Sequence, residues 1–217
     1  MPISDFSGKT YVAFSDLNGF KEMMRNHRNA AKALDKLYST VYELKTKSEY
    51  SGIQTLAISD CAISFVSNSN SNNTADLPLI LKFIKDLHTK MLNADYLITS
   101  SIACGQFDYH ERIELPGLEK NMLYGNAYLN AYLNNEKCPA GSIAIICEGS
   151  EKDNILQSSG EHKEFLRDIR RNVKGLQFYW AVPSGDSIDK FKTAYQDTYN
   201  LKYKGMISVY KDYLRRT

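Results

Sequence analysis

Residues 11–14 read Tyr-Val-Ala-Phe, and this apolar run ends in Ser15-Asp16. Leu17, Asn18, Gly19 and Phe20 come next, and helix-forming residues follow at once. A chain with this order places a buried strand, a carboxylate at its end, a tight turn and a helix start within eleven residues. Gly19 lets the backbone come close to a ligand. The N–H groups of Asn18, Gly19 and Phe20, leading into a helix, form a cradle suited to an anion. Taken alone, an Asp before a Gly also serves as an ordinary turn or N-cap residue.

A second carboxylate makes the first one informative. Residues 53–58 and 61–66 are short apolar runs on either side of Ser59-Asp60. They read as a hairpin with a two-residue turn and Asp60 at its tip. If strand 11–16 pairs beside this hairpin, Asp16 and Asp60 converge at one end of a sheet. Two such groups suit Mg²⁺ or Mn²⁺, hard cations that take oxygen ligands and usually keep waters and substrate phosphates.

The remaining pattern gives the architecture. Helices are expected over 19–27 and 29–47; in the second, Ala30, Ala33, Leu34, Leu37, Val41 and Leu44 form one apolar stripe. A polar loop covers 67–74. Leu77, Ile80, Leu81, Ile84, Leu87 and Met91 mark an amphipathic helix. A strand over 96–107 leads to an irregular segment holding Pro116 and Gly117. A helix follows from about 125 to 136, then a strand over 143–147. A charged helix over 161–172, a strand over 176–182 and helix over 186–214 complete the chain. Helices and strands interleave around a central hairpin, which predicts an α+β fold with a mixed sheet and packed helices. No linker divides the 217 residues, so one domain is expected, with a core at 10–150 and an extension at 151–217.

Composition narrows the partners. A net charge of +2 and no basic stripe argue against nucleic acid. No apolar run approaches the roughly 20 residues of a membrane helix, and no signal pattern opens the chain. The four cysteines lack metal spacing and read as free thiols suited to a reducing cytoplasm. Fifteen Tyr and nine Phe give some support to a partner surface.

Three segments carry a resemblance. "FSDLNGF" (14–20) resembles the first metal motif of class III nucleotidyl cyclases. "LAISDCAISF" (56–65) resembles their second metal hairpin, with Ser59-Asp60 where Gly-Asp is usual, and "LYGNAYLNAYLNNE" (123–136) resembles their glycine-then-helix segment. The resemblance implies a ferredoxin-like βααββαβ core. It implies two divalent ions, Mn²⁺ or Mg²⁺, held by Asp16, Asp60 and the Leu17 carbonyl, and a triphosphate whose 3′-oxygen attacks its own α-phosphate. It also implies a homodimer in which Asp16 and Asp60 of one chain face helix 125–136 of its twin.

The chain departs from the purine enzymes of that family where they read the base. Leu56 and Met122 stand at the two polar positions, and a site without matching hydrogen-bond partners loses discrimination for that base. In this respect the chain resembles the bacterial antiphage pyrimidine cyclases (Pycsar). That resemblance implies CTP or UTP as substrate, cyclic CMP or cyclic UMP as product, and a separate effector protein activated by it. Gln54, Thr55 and Ser59 can each donate or accept near the hairpin and leave cytosine against uracil open. Where the family's helix carries an Asn and an Arg, this chain has Leu129 and Leu133. Asn126, Asn130 and Asn134 form a polar stripe one position over, which makes Asn130 and Asn134 candidates. Arg112, Lys120, Lys137 or a partner subunit are candidates for the missing cation. A purine cyclase with an unusual base pocket, a non-catalytic nucleotide sensor and a polymerase-palm relative are the competing readings.

Overall fold

The computed structural model describes residues 4–67, 75–115, 118–169 and 173–181, with positions 211 and 215; the side chains of 111–121 lie outside it. The expected helix over 186–214, the loop at 67–74 and the side chains of Arg112 and Lys120 therefore fall wholly or largely beyond the described residues.

One mixed sheet organises the molecule. Its order is β2 (Ile53–Ile58), β3 (Cys61–Val66), β1 (Phe6–Leu17), β4 (Ile98–Leu115), β6 (Ile143–Ile146), β8 (Gly175–Phe178) and β7 (Leu166–Asp168). Strand β5 (Leu118–Tyr124) pairs back on the far end of β4. Among the described residues, only the β4–β6 pairing is parallel. On one face lie α2 (His27–Lys45) and α3 (Asp76–Leu92), whose apolar stripes meet Ala13, Leu17, Ala62 and Val66 in the larger core. On the other lies α4 (Asn126–Asn135), which covers Val12, Phe14, Ile63 and Phe65 in a smaller one. Alternation along β1 decides which residue meets which layer: Ala13 and Leu17 face α2 and α3, while Val12, Phe14 and Asp16 face α4. The α+β class with a mixed sheet and packed helices is the observed one.

Several boundaries differ from the sequence expectation. The 19–27 helix is a single turn, α1 (Phe20–Met23), because Asn26 caps the next helix by accepting from the Arg28 N–H. Residues 108–115 and 118–124 are not irregular: β4 runs on to Leu115, and β5 pairs antiparallel with it. The paired backbone supplies the hydrogen bonds that polar side chains do not advertise. Helix α5 lies earlier than expected, at Ser150–Ser158, and 160–168 forms a 3-10 turn and then β7. Gly160, at φ +57, separates the two.

Among the described residues no helix is long and apolar enough to cross a membrane.

Candidate metal and nucleotide site

Register brings the two carboxylates together. β1 pairs antiparallel with β3 so that Asp16 lies opposite Cys61, the residue after Asp60. The turn between β2 and β3 is Ser59-Asp60, and Ser59 takes φ +52, a left-handed conformation that tight hairpins require. Two contacts fix this turn. The Tyr38 hydroxyl donates to the Ser59 carbonyl at 2.7 Å, and the Leu17 N–H donates to the Asp60 carbonyl at 3.0 Å. As a result one ligand atom from each of Asp16, Asp60 and Cys61 lies within 4.8 Å of the others.

The charge balance at this corner favours a cation. Burial pushes the Asp16 carboxyl above its ordinary range, the Cys61 hydrogen bond opposes this, and Asp60 and Glu136 add like charge. Among the described residues no ion pair reaches Asp16 or Asp60. A pair of close carboxylates without a basic partner fits a divalent ion through its hard oxygens.

The glycine turn beside it is narrower than the sequence suggested. Gly19 has φ +76, and a Cβ there would meet nothing within 4 Å, so its backbone angle requires glycine. The Asn18 N–H is already committed to the Leu97 carbonyl at 2.8 Å. Its side-chain oxygen accepts from the Thr99 hydroxyl at 2.9 Å and the Gly141 N–H at 3.3 Å. Asn18 therefore holds the turn and has no backbone N–H left for an anion. Gly19 and Phe20 keep theirs, with no acceptor among the described residues. The brace continues into the extension: the Trp180 indole donates to the Gly141 carbonyl at 2.9 Å. Trp180 also meets His88 edge-on, and His88 bonds Ser100, which bonds Ser15, the neighbour of Asp16.

Helix α4 divides into four sides. Ala127, Ala131 and Asn135 are buried on the sheet. The Asn135 amide donates to the Phe14 carbonyl at 3.1 Å and to the Thr99 carbonyl at 3.0 Å. Sequence reading passed over Asn135; its place in the buried i, i+4, i+8 series with Ala127 and Ala131 was the available signal. At 100° per residue, one flank carries Tyr128 and Tyr132 and the other carries Asn126, Asn130 and Asn134. The tyrosines lie over Phe14 on β1, at ring distances of 6.4 and 5.3 Å. That flank faces the carboxylate corner, so Asn130 and Asn134 are turned away from Asp16 and Asp60 of their own chain. The Asn134 amide bonds back to the Asn130 carbonyl at 2.8 Å. Leu129 and Leu133 point outward, each 51% exposed.

The base-reading candidates are also dispersed. Leu56 lies in the smaller core, one cross-strand row from Asp16 and on the same face. Met122 is exposed on β5 opposite His110, nine residues along β4 from the row of Leu56, which is about 30 Å at strand rise. Register thus places the two in widely separated rows of the sheet. Thr55 is buried on the opposite face of the sheet and bonds Ser64 at 3.0 Å, and Gln54 is engaged by Lys45 at 3.1 Å. Lys137, just past the end of α4, is exposed and follows Glu136, whose charge reaches Asp16.

No protein-family model matches the sequence, and no curated protein matches it. Solved structures do. The adenylyl cyclase CyaB from P. aeruginosa superposes with a TM-score of 0.60 at 16% identity, covering 85% of this chain and 99% of that one. The guanylyl cyclase Cya2 gives 0.59 at 14% identity, covering 81% and 91%. A bacterial light-regulated adenylyl cyclase gives 0.63 at 10% identity, covering 89% and 58%. The fold of the chain is that of class III adenylyl and guanylyl cyclase domains.

Proposed function

We propose that the chain is a nucleotidyl cyclase that converts CTP or UTP into the 3′,5′-cyclic monophosphate and pyrophosphate. The observation that carries this reading is the meeting of Asp16 and Asp60 at one sheet end, next to a glycine turn, within a cyclase fold. When bound there, two divalent ions supply neutralisation of the phosphate charge and of the attacking and leaving oxygens. The chain's own groups do the rest. Asp16, Asp60 and the Leu17 carbonyl would hold the ions, and the Gly19 and Phe20 N–H groups would meet phosphate oxygens. Thr99, Gly141 and Asn18 keep that turn in place, and fixed geometry of this kind lowers the entropic part of the barrier.

The preference for a pyrimidine rests on Leu56 and Met122, neither of which can hydrogen-bond a purine edge through its side chain. Their separation in one chain supports a homodimer whose site is shared, with Met122 and helix α4 of one chain approaching the carboxylates of the other. Exposed apolar side chains at Met122, Tyr124, Leu129, Tyr132 and Leu133 suit such a surface. Asn130 and Asn134, turned from their own corner, would then serve the partner's. By the same resemblance the product acts as a cytoplasmic messenger in antiphage defence and switches on a separate effector.

Leu129 and Leu133 favour one competing reading, nucleotide binding without turnover, because neither can stabilise a charged transition state. Incubation with Mn²⁺ and each of ATP, GTP, CTP and UTP, with products identified by mass, decides. Cyclic CMP or cyclic UMP is the expected product. Cyclic AMP or cyclic GMP alone would replace the pyrimidine reading, and bound but unchanged triphosphate would replace the catalytic one.

A further inference from the structure

The carboxylate corner contains a third group. We propose that Cys61 is a protein ligand of this centre, and that the chain therefore favours thiophilic divalent cations such as Zn²⁺ or Cd²⁺ over Mg²⁺. The proposal rests on the reading of Asp16 and Asp60 as metal ligands and adds selectivity to it.

The placement of the thiol follows from the sheet. Directly opposed residues of an antiparallel pair present their side chains on the same face, about 5 Å apart. Cys61 is opposed to Asp16, and its Sγ lies 3.2 Å from the Asp16 Oδ1. The turn at Ser59 brings the Asp60 carboxylate to the same place, and three ligand atoms come within 4.8 Å of one another. The other thiols behave differently. Half-buried Cys138 donates to the Asn134 carbonyl, buried Cys147 donates to the Ile145 carbonyl, and Cys104 shares a hydrogen bond with Tyr11. Cys61 instead directs its proton at a carboxylate that a cation would also claim.

Softness then decides which cation gains most. Mg²⁺ binds oxygen and gains nothing from sulfur, so with Mg²⁺ the thiol keeps its proton and its bond to Asp16. Zn²⁺ and Cd²⁺ take thiolate readily, and two carboxylates with one thiolate leave Zn²⁺ a fourth position for a phosphate oxygen or water. Binding replaces the S–H bond by a sulfur–metal bond and releases one proton to solvent. No oxidant or reductant is involved.

The test is spectroscopic and does not depend on turnover. Co²⁺ and Cd²⁺ are titrated into the full chain while sulfur-to-metal charge-transfer absorption and proton release are followed. The wild-type chain is expected to show the band with one proton released per centre, from the single thiol of Cys61. Cys61→Ser should lose the band, and its Cd²⁺-to-Mg²⁺ affinity ratio should fall about tenfold or more, the scale on which losing even an outer-shell partner weakens a metal site. Circular dichroism of Cys61→Ser and Cys61→Ala checks that both remain folded. Co²⁺ binding without a band, or an unchanged band in Cys61→Ser, overturns the proposal. Mn²⁺ binding that is absent, or equal in wild type and Asp16→Asn, removes the carboxylate centre itself and the role of Cys61 with it.

Discussion

The carboxylate corner and the outer face of α4 are both parts of one proposed catalytic apparatus, yet they are built in opposite ways. At the corner, strand register, a left-handed Ser59 and two backbone-directed hydrogen bonds bring Asp16 and Asp60 together within one chain. On α4, the side facing the sheet is locked by Asn135, while Leu129 and Leu133 look outward and Asn130 and Asn134 turn from the corner. On the proposed reading, folding alone would finish the metal-binding half, whereas the substrate-contacting half would wait for a second chain.

Complementation puts the greatest strain on that contrast. A chain carrying Asp60→Asn and a chain carrying Asn130→Ala with Asn134→Ala should each be inactive as homodimers. Each mixed dimer should recover about half of the activity of a two-site dimer, since one of two equivalent sites is then intact. Activity assays on the co-purified mixture check this, and no recovery would return α4 to its own chain's site.

Asn135→Leu sharpens the locked side of the helix. It removes both donors to the Phe14 and Thr99 carbonyls and should cost about 2 to 3 kcal/mol of stability, read by urea unfolding. Asn134→Ala, on the flank, should cost well under 1 kcal/mol by the scale of exposed substitutions.

The buried network behind the corner has a pH signature. Burial pushes the His88 pKa down from 6.5 to about 3. The unfolded chain takes up a proton near pH 6.5 that the folded chain refuses until about pH 3. The stability associated with neutral His88 is thus complete above pH 6.5 and falls with pH across that window, by up to about 1.4 kcal/mol per unit. His88→Gln should flatten this part of the pH–stability curve, measured as the difference from wild type. Trp180→Phe keeps an aromatic side chain but loses the donor to Gly141 and some buried volume; it should cost at least about 1 kcal/mol and raise KM for the triphosphate more than it lowers kcat.

How far the sequence reached depends on the kind of interaction. The hairpin around Ser59-Asp60 and the apolar stripes of α2 and α3 were legible, because hydrophobic periodicity and turn chemistry encode them locally, whereas the pairing of strand one beside the hairpin stood only as a condition until the register was known. The long β4–β5 hairpin was not, because backbone pairing gives polar strands no periodic mark. Asn18 was legible as part of the turn but not in its role: only the packing of Thr99 and Gly141, far along the chain, shows that its side-chain oxygen braces the turn. Asn135 was hidden for a similar reason, since its partners are carbonyls of two distant strands. Cys61 was visible as a residue but read as an inert thiol until the register set it against Asp16.

The most direct test of the central claim is Mn²⁺-dependent binding of CTP, measured by calorimetry on wild type, Asp16→Asn and Asp60→Asn. Wild type is expected to bind the nucleotide only with the metal, and each variant, still folded, is expected to lose that dependence to the same degree. An Asp60→Asn chain that binds Mn²⁺ and CTP as tightly as wild type would contradict the account.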